Sequence, residues 1–142
     1  MNILKVLTDK RIKGNTGEYG VAKLLKKRKY RIIEKNYIAG GHEIDIIAKN
    51  KEYICFVEVK TRSDNAKNTY GARPADAVNR EKRRSIISAA KIYSSIHSND
   101  GYKFRFDVAE VYLDDKGKIR EINYLENAFT ADRDYNVKFK SM

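Results

Sequence analysis

Apolar residues recur at helical spacing from Thr16 to Arg28, as Val21, Ala22, Leu24 and Leu25 with cations between them, and this predicts a first helix. Tyr30-Arg31-Ile32-Ile33 predicts a strand, Gly40-Gly41 a turn, and Glu43-Ile44-Asp45-Ile46-Ile47-Ala48 a second strand. Lys49-Asn50-Lys51-Glu52 is a hairpin turn into Tyr53–Lys60, the strongest strand pattern in the chain. A loop with Gly71 and Pro74 precedes a long helix from about Asp76 to Ser95, whose core candidates are Ala77, Ile86, Ile87, Ala90 and Tyr93. Lys103 to Leu113 alternates as a strand, Asp114 to Gly117 turns, and Ile119 to Leu125 returns as an edge strand. The order predicts an α/β fold, a mixed sheet of four to five strands flanked by helices on both sides. Residues 1–129 read as one domain and 130–142 as a polar C-terminal tail that frays or packs loosely.

Composition narrows the class. A chain of 142 residues buries a sizeable core without staples. With 42% hydrophobic residues and a single Pro it is no disordered basic tail. The only cysteine, Cys55, excludes an internal disulfide framework and a Cys-rich zinc site; it alternates onto an apolar face and reads as a small buried hydrophobe. No apolar run approaches a membrane span and no signal segment opens the chain, so a cytoplasmic protein with no membrane partner is expected. Lys and Arg number 30 against 19 Asp and Glu, a net charge of +11. The excess is uneven: residues 1–31 hold ten cations against Asp9 and Glu18, and Arg80, Lys82, Arg83, Arg84 and Lys91 form a second cluster. Each run alone is equally well a solvated helix face. Two basic helices on one small domain favour a nucleic-acid partner.

Candidate chemistry lies on the two central strands. Alternation puts Glu43 and Asp45 on one face with Ile44 and Ile46 opposite, and Glu58 and Lys60 on one face with Val57 and Val59 opposite. An even-numbered loop over 49–52 keeps both pairs on the same side of the sheet. Charges among strands otherwise nearly all apolar cost several kcal/mol unless paired or bound to metal. A divalent cation relieves the repulsion between neighbouring carboxylates, and oxygen-only donors favour Mg2+ or Mn2+. Lys60 then orients or helps deprotonate the attacking water and stabilises charge building on a phosphate. The bland alternative is an internal Glu-Lys ion pair with two solvent-facing acids on an edge strand. Spacing alone weighs the two equally.

Asp45, followed thirteen residues later by Glu58-Val59-Lys60, resembles the Asp…Glu-x-Lys core of the PD-(D/E)XK nuclease superfamily. The wider pattern resembles one branch, the YraN-like family of small uncharacterised proteins related to archaeal Holliday-junction resolvases. The pieces are Gly17-Glu18-x-x-x-Ala22, Asn36, Glu43 to Ala48, Phe56 to Arg62, Lys82-Arg83-Arg84, Ala90, Arg105 to Val108 and Asn127-Ala128-Phe129. The triple alone is weakly specific; the pieces in this order are strong.

The resemblance implies a restriction-endonuclease-like fold and metal-dependent hydrolysis of phosphodiester bonds in DNA, branched or damaged DNA included. It makes Asp45 and Glu58 metal ligands, with the Val59 carbonyl completing the shell, Lys60 the residue assisting the water, and Glu18 a helical acid added to the site. For Glu18 the competing reading is an acid favoured by the helix dipole; Glu43 is balanced between metal ligand and salt-bridge partner of an Arg. Thr61, Arg62, Lys82, Arg83 and Arg84 are candidate phosphate contacts, Lys82 being equally well a solvated cation. His42 departs from the usual small or basic residue and reads as a hydrogen-bonding neighbour. Arg105 and Asp107 read as a structural pair. Junction-cutting relatives act as symmetric dimers, which makes a homodimer plausible. Two further classes stand beside the nuclease: a non-catalytic nucleic-acid-binding module on the same scaffold, and an accessory protein whose pocket works only with a partner.

Overall fold

The computed structural model describes residues 3–63, with side chains from residue 15, together with 78–97 and 101–131. In chain order the elements are α1 (Ile3–Lys27), β1 (Arg31–Ala39), β2 (His42–Lys49), β3 (Tyr53–Ser63), α2 (Arg80–Ile96), β4 (Lys103–Leu113) and β5 (Ile119–Phe129). The strands form one mixed five-stranded sheet in the order β1-β2-β3-β4-β5. Only β3 and β4 are parallel, and α2 lies on the crossover that a parallel neighbour demands. Expected and observed element order agree. Ala77 and the loop with Gly71 and Pro74 lie outside the described residues, as do residues 132–142 of the tail.

Local chemistry sets the turns. Gly40 and Gly41 both have positive φ (58° and 78°), the conformation a two-residue hairpin between Ala39 and His42 needs. At the next turn the Asn50 side-chain oxygen accepts from the Glu52 and Tyr53 backbone N–H groups at 2.9 and 2.7 Å. Asn79 caps α2 by accepting from the Lys82 N–H at 2.8 Å, which fixes Lys82 in the first turn.

Two apolar layers sandwich the sheet. Val21, Ala22 and Leu25 of α1 pack on Ile46, Ala48, Cys55, Val57, Ala109 and Val111. On the other face Ile86, Ile87, Ala90 and Tyr93 of α2 pack on Ile47, Ile54, Phe56, Phe106 and Val108. Cys55 is fully buried, and that burial, with the Asp107 charge second, pushes its thiol up to about 12. The α2-side cluster continues to Ala131, two residues into the segment expected to be tail. Arg105 and Asp107 form the expected buried pair: Asp107 accepts from Arg105 Nε at 2.9 Å, from the Tyr124 hydroxyl at 2.6 Å and from the Asn127 backbone N–H at 2.9 Å. A buried ion pair satisfied this fully ties β4 to β5 without leaving an exposed cost.

Several element bounds differ from expectation: α2, expected from about Asp76, begins at Arg80 behind the Asn79 cap, and β3 runs past Lys60 to Ser63. The α1 helix begins at Ile3, well before the expected start at about Thr16. The polar run Glu34-Lys35-Asn36 belongs to β1, where a register shift between Ile32 and Glu34 and a left-handed Asn36 (φ 51°) hide the strand period. β5 runs on to Phe129 through another left-handed residue, Asn127 (φ 55°).

Helix α1 meets β3 closely at one point. A Cβ built on Gly17 would lie 1.9 Å from Thr61 Oγ1 and 3.2 Å from Thr61 Cβ. Gly17→Ala should lower the melting temperature, because overpacking by about 1–3 kcal/mol outweighs the roughly 1 kcal/mol of helix propensity that Ala gains. Adding Thr61→Ala should recover most of the loss. A single variant melting at or above the wild type would show that the helix does not sit this close.

Candidate functional site

The β2–β3 ladder pairs Lys49 with Ile54 and ends at Ile46 with Val57, although both strands continue. Beyond that point the Asp45 carboxylate stands in for the missing backbone acceptor: Oδ2 takes the Val59 N–H at 2.8 Å. The pleat of β2 breaks at the same place. Ile44 packs in the α2-side cluster and Ile46 in the α1-side cluster, so they do not share a face as simple alternation predicts. Asn36, opposite Asp45 in the β1–β2 register, supplies the left-handed backbone beside the break.

Around this split the candidate acids form two linked pairs. Glu58, on β3, is only 4% exposed, and its carboxyl shares a hydrogen bond with that of Asp45. Burial first, then Asp45 as bonded neighbour and as charge, push Glu58 up to about 9, against the opposing pull of Lys82 and Lys60. Its Oε2 accepts no hydrogen bond; the Lys82 ammonium of α2 lies 3.4 Å away as an ion-pair partner. The second pair is Glu18 and Glu43. With its amide nitrogen turned towards them, Asn36 donates to Glu18 at 3.2 Å and to Glu43 at 3.1 Å. Glu18 is raised above the usual carboxylate range, by burial and then by the Asp45 charge, while the Asn36 hydrogen bond opposes the shift. Gly17 is what allows this: its missing side chain brings α1 onto Thr61 and carries Glu18 to the split.

Among the described residues no three Asp, Glu, His or Cys side chains converge as a ready-made cation cage. Asp45 and Glu58 nevertheless offer an oxygen-only donor pair with one buried carboxylate oxygen unused by any hydrogen bond. That donor set fits Mg2+, which commonly takes one or two protein carboxylates and fills its shell with water and substrate phosphate. The arrangement meets the bland alternative in part, since Glu58 does form an internal ion pair with a lysine and Glu43 is exposed, and corrects it in the strand's position and the pair's identity. β2 is an interior strand, and the ion pair of Glu58 runs to Lys82.

The remaining expected residues are distributed as follows. Lys60 is half-buried on β3, close enough for its charge to act on Glu58. Thr61 faces α1 at Gly17. Arg62 is bonded through Nε to the buried Glu110. Arg83 is half-buried and Arg84 exposed on the first turns of α2, next to Lys82. His42 is half-buried at the hairpin end of β2. Asn36 is the residue whose place in the site sequence reasoning missed; it stood among the pieces of the resemblance without a role, and an Asn inside a polar stretch between strand patterns looks like loop.

The Uncharacterised protein family UPF0102 matches residues 17–111. The chain belongs to that family. The span matched by UPF0102 holds Glu18, Asn36, Glu43, Asp45, Glu58, Lys60 and Lys82, the whole of the split and its surround. A UPF0102 protein of Clostridium acetobutylicum is 44% identical over 116 residues, covering 82% of this chain and 92% of the relative. One of Acetivibrio thermocellus is 42% identical over 125 residues, covering 85% and 93%. One of Alkaliphilus metalliredigens is 43% identical over 116 residues, covering 82% and 96%. No helix among the described residues is long and apolar enough to cross a membrane.

Because Glu58 holds its proton more tightly in the fold than in the unfolded chain, its contribution favours the fold at low pH. That contribution is lost as pH rises from about 4.5 towards about 9. In EDTA, Glu58→Gln should therefore stabilise the protein by an amount that is small near the lower end and reaches a few kcal/mol at the upper. Urea unfolding across that range reads it, and a gain independent of pH would contradict the burial argument.

Proposed function

We propose that this chain is a metal-dependent endonuclease hydrolysing phosphodiester bonds in DNA, with branched or damaged DNA among its substrates. The observation carrying the proposal is Glu58, a carboxyl buried beside Asp45 with one oxygen unused by hydrogen bonds and cations on two sides. A scaffold has no need of such a group, since burying it costs several kcal/mol that an apolar residue would avoid. The sequence resemblance to the PD-(D/E)XK superfamily rests on the same Asp45, Glu58 and Lys60.

In this reading Asp45 and Glu58 would hold Mg2+ or Mn2+, with Glu18 and the exposed Glu43 as further acids linked through Asn36. The ion supplies Lewis acidity towards the phosphate and lowers the pKa of the attacking water. Asp45 is oriented for this by the Val59 N–H, and Glu58 by the Lys82 ammonium. Glu58 and Asp45 would give up the proton between them when they hold the cation. Lys60 positions the water and offsets charge on the phosphate. Lys82, the ion-pair partner of Glu58, would meet the substrate backbone, with Arg83 and Arg84 beside it on α2. The net charge of +11 draws the duplex in, while the carboxylates recruit the ion locally.

Cleavage of supercoiled plasmid, linear duplex, flap, four-way junction and single strand, each with Mg2+, Mn2+ or EDTA, tests the proposal. Metal-dependent cutting should appear on at least one substrate and vanish in Asp45→Asn and Glu58→Gln. Activity surviving in either variant sinks the site assignment. Binding without cutting under every metal would favour the non-catalytic module.

A further inference from the structure

The structure assigns a second binding site, away from the carboxylates, to a backbone phosphate of the nucleic acid. It is the cleft of about 270 Å³ lined by Lys29, Arg31, Lys49, Asn50, Lys51 and Tyr102. It rests on the nucleic-acid reading above but not on cleavage.

Three features of the cleft work against the fold and make sense together with an anion. Arg31 and Lys49 sit directly opposite each other in the β1–β2 ladder, and like charges so placed repel. Lys29 follows α1 in the left-handed conformation (φ 74°), at a helix end closed by Tyr30 N–H to Leu25 O at 2.9 Å, where glycine is the usual residue. Lys51 brings a further cation on the hairpin turn. No carboxylate lines the cleft. Glu52, the acid nearest in sequence, bonds Lys103 at 3.1 Å instead. Lys49 Nζ lies 4.0 Å from the centre of the Tyr102 ring, so that ring is covered by a cation. The cleft therefore suits a phosphate rather than a stacked base. Lys49 lies four residues along β2 from Asp45, about 13 Å at strand rise, so a bound backbone could occupy both sites.

The test is the salt dependence of binding to a short labelled duplex, followed by anisotropy in EDTA so that nothing is cut. Arg31→Gln/Lys49→Gln should lose about tenfold in affinity at low salt and flatten the plot of log K against log salt by about one unit, the share of one phosphate. Lys116→Gln/Lys118→Gln, which removes the same charge from the β4–β5 turn, should keep the wild-type slope. Lys51→Gln, on an exposed turn, is the milder variant should the double one melt early, and should lose affinity in the same direction. Unchanged binding in the cleft variants, or an equal loss in the control, overturns the site while leaving the nuclease reading intact. Loss of calorimetric binding to inorganic phosphate with duplex affinity unchanged would make it a small-anion site and also overturn the proposal. A wild-type protein that binds neither the duplex nor a flap, a four-way junction or a single strand overturns both readings.

Discussion

One side chain acting as backbone organises this protein. Where β2 and β3 part company, the Val59 N–H would be left without a sheet partner, and the Asp45 carboxylate accepts it at 2.8 Å. An unsatisfied buried N–H costs on the order of 1–3 kcal/mol, so the hydrogen bond both allows the sheet to open and holds Asp45 in a single orientation. Everything else in the site follows from that opening. Glu58 is carried to it by the regular pleat of β3, Glu18 by α1 from one face, and Lys82 by the capped first turn of α2 from the other. The site lies where both helices meet the sheet, and that is why residues distant in sequence share it.

The energetics run against the fold at the site and for it elsewhere. Two apolar layers and the satisfied Arg105–Asp107 network hold the sheet at its centre and at the β4–β5 side. Against that background, a buried carboxyl shifted to about 9 and a raised Glu18 are groups the fold must tolerate. Groups whose environment opposes their ordinary ionisation mark functional sites more often than structural ones. In the proposed reading, oxygen-only donors of this kind suit Mg2+ and Mn2+ better than zinc.

Much of this was legible in the chain. The alternation of Lys103–Leu113 and the helical spacing of Ile86, Ile87, Ala90 and Tyr93 define β4 and α2, because those elements bury regular faces. The even-numbered turn placed Asp45 and Glu58 on one side of the sheet, and they do meet. What could not be read were the irregularities: the left-handed Asn36, the register shift beside it, and the broken pleat that separates Ile44 from Ile46. Periodicity arguments assume a regular strand, and the site sits where the strand stops being regular. The Lys82–Glu58 pair was equally hidden, since it depends on how α2 lies across β3. The close approach of α1 to Thr61 at Gly17 was hidden for a related reason, since nothing in the sequence says how near the helix lies to β3.

The central claim is that Asp45 and Glu58 hold a divalent cation in place of a shared proton. Calorimetric titration with Mn2+ near neutral pH, repeated in buffers of different ionisation enthalpy, tests it without any nucleic acid. The account requires one bound Mn2+ accompanied by release of close to one proton, with both binding and proton release lost in Asp45→Asn. Binding with no proton release, or binding that survives the substitution, would contradict it.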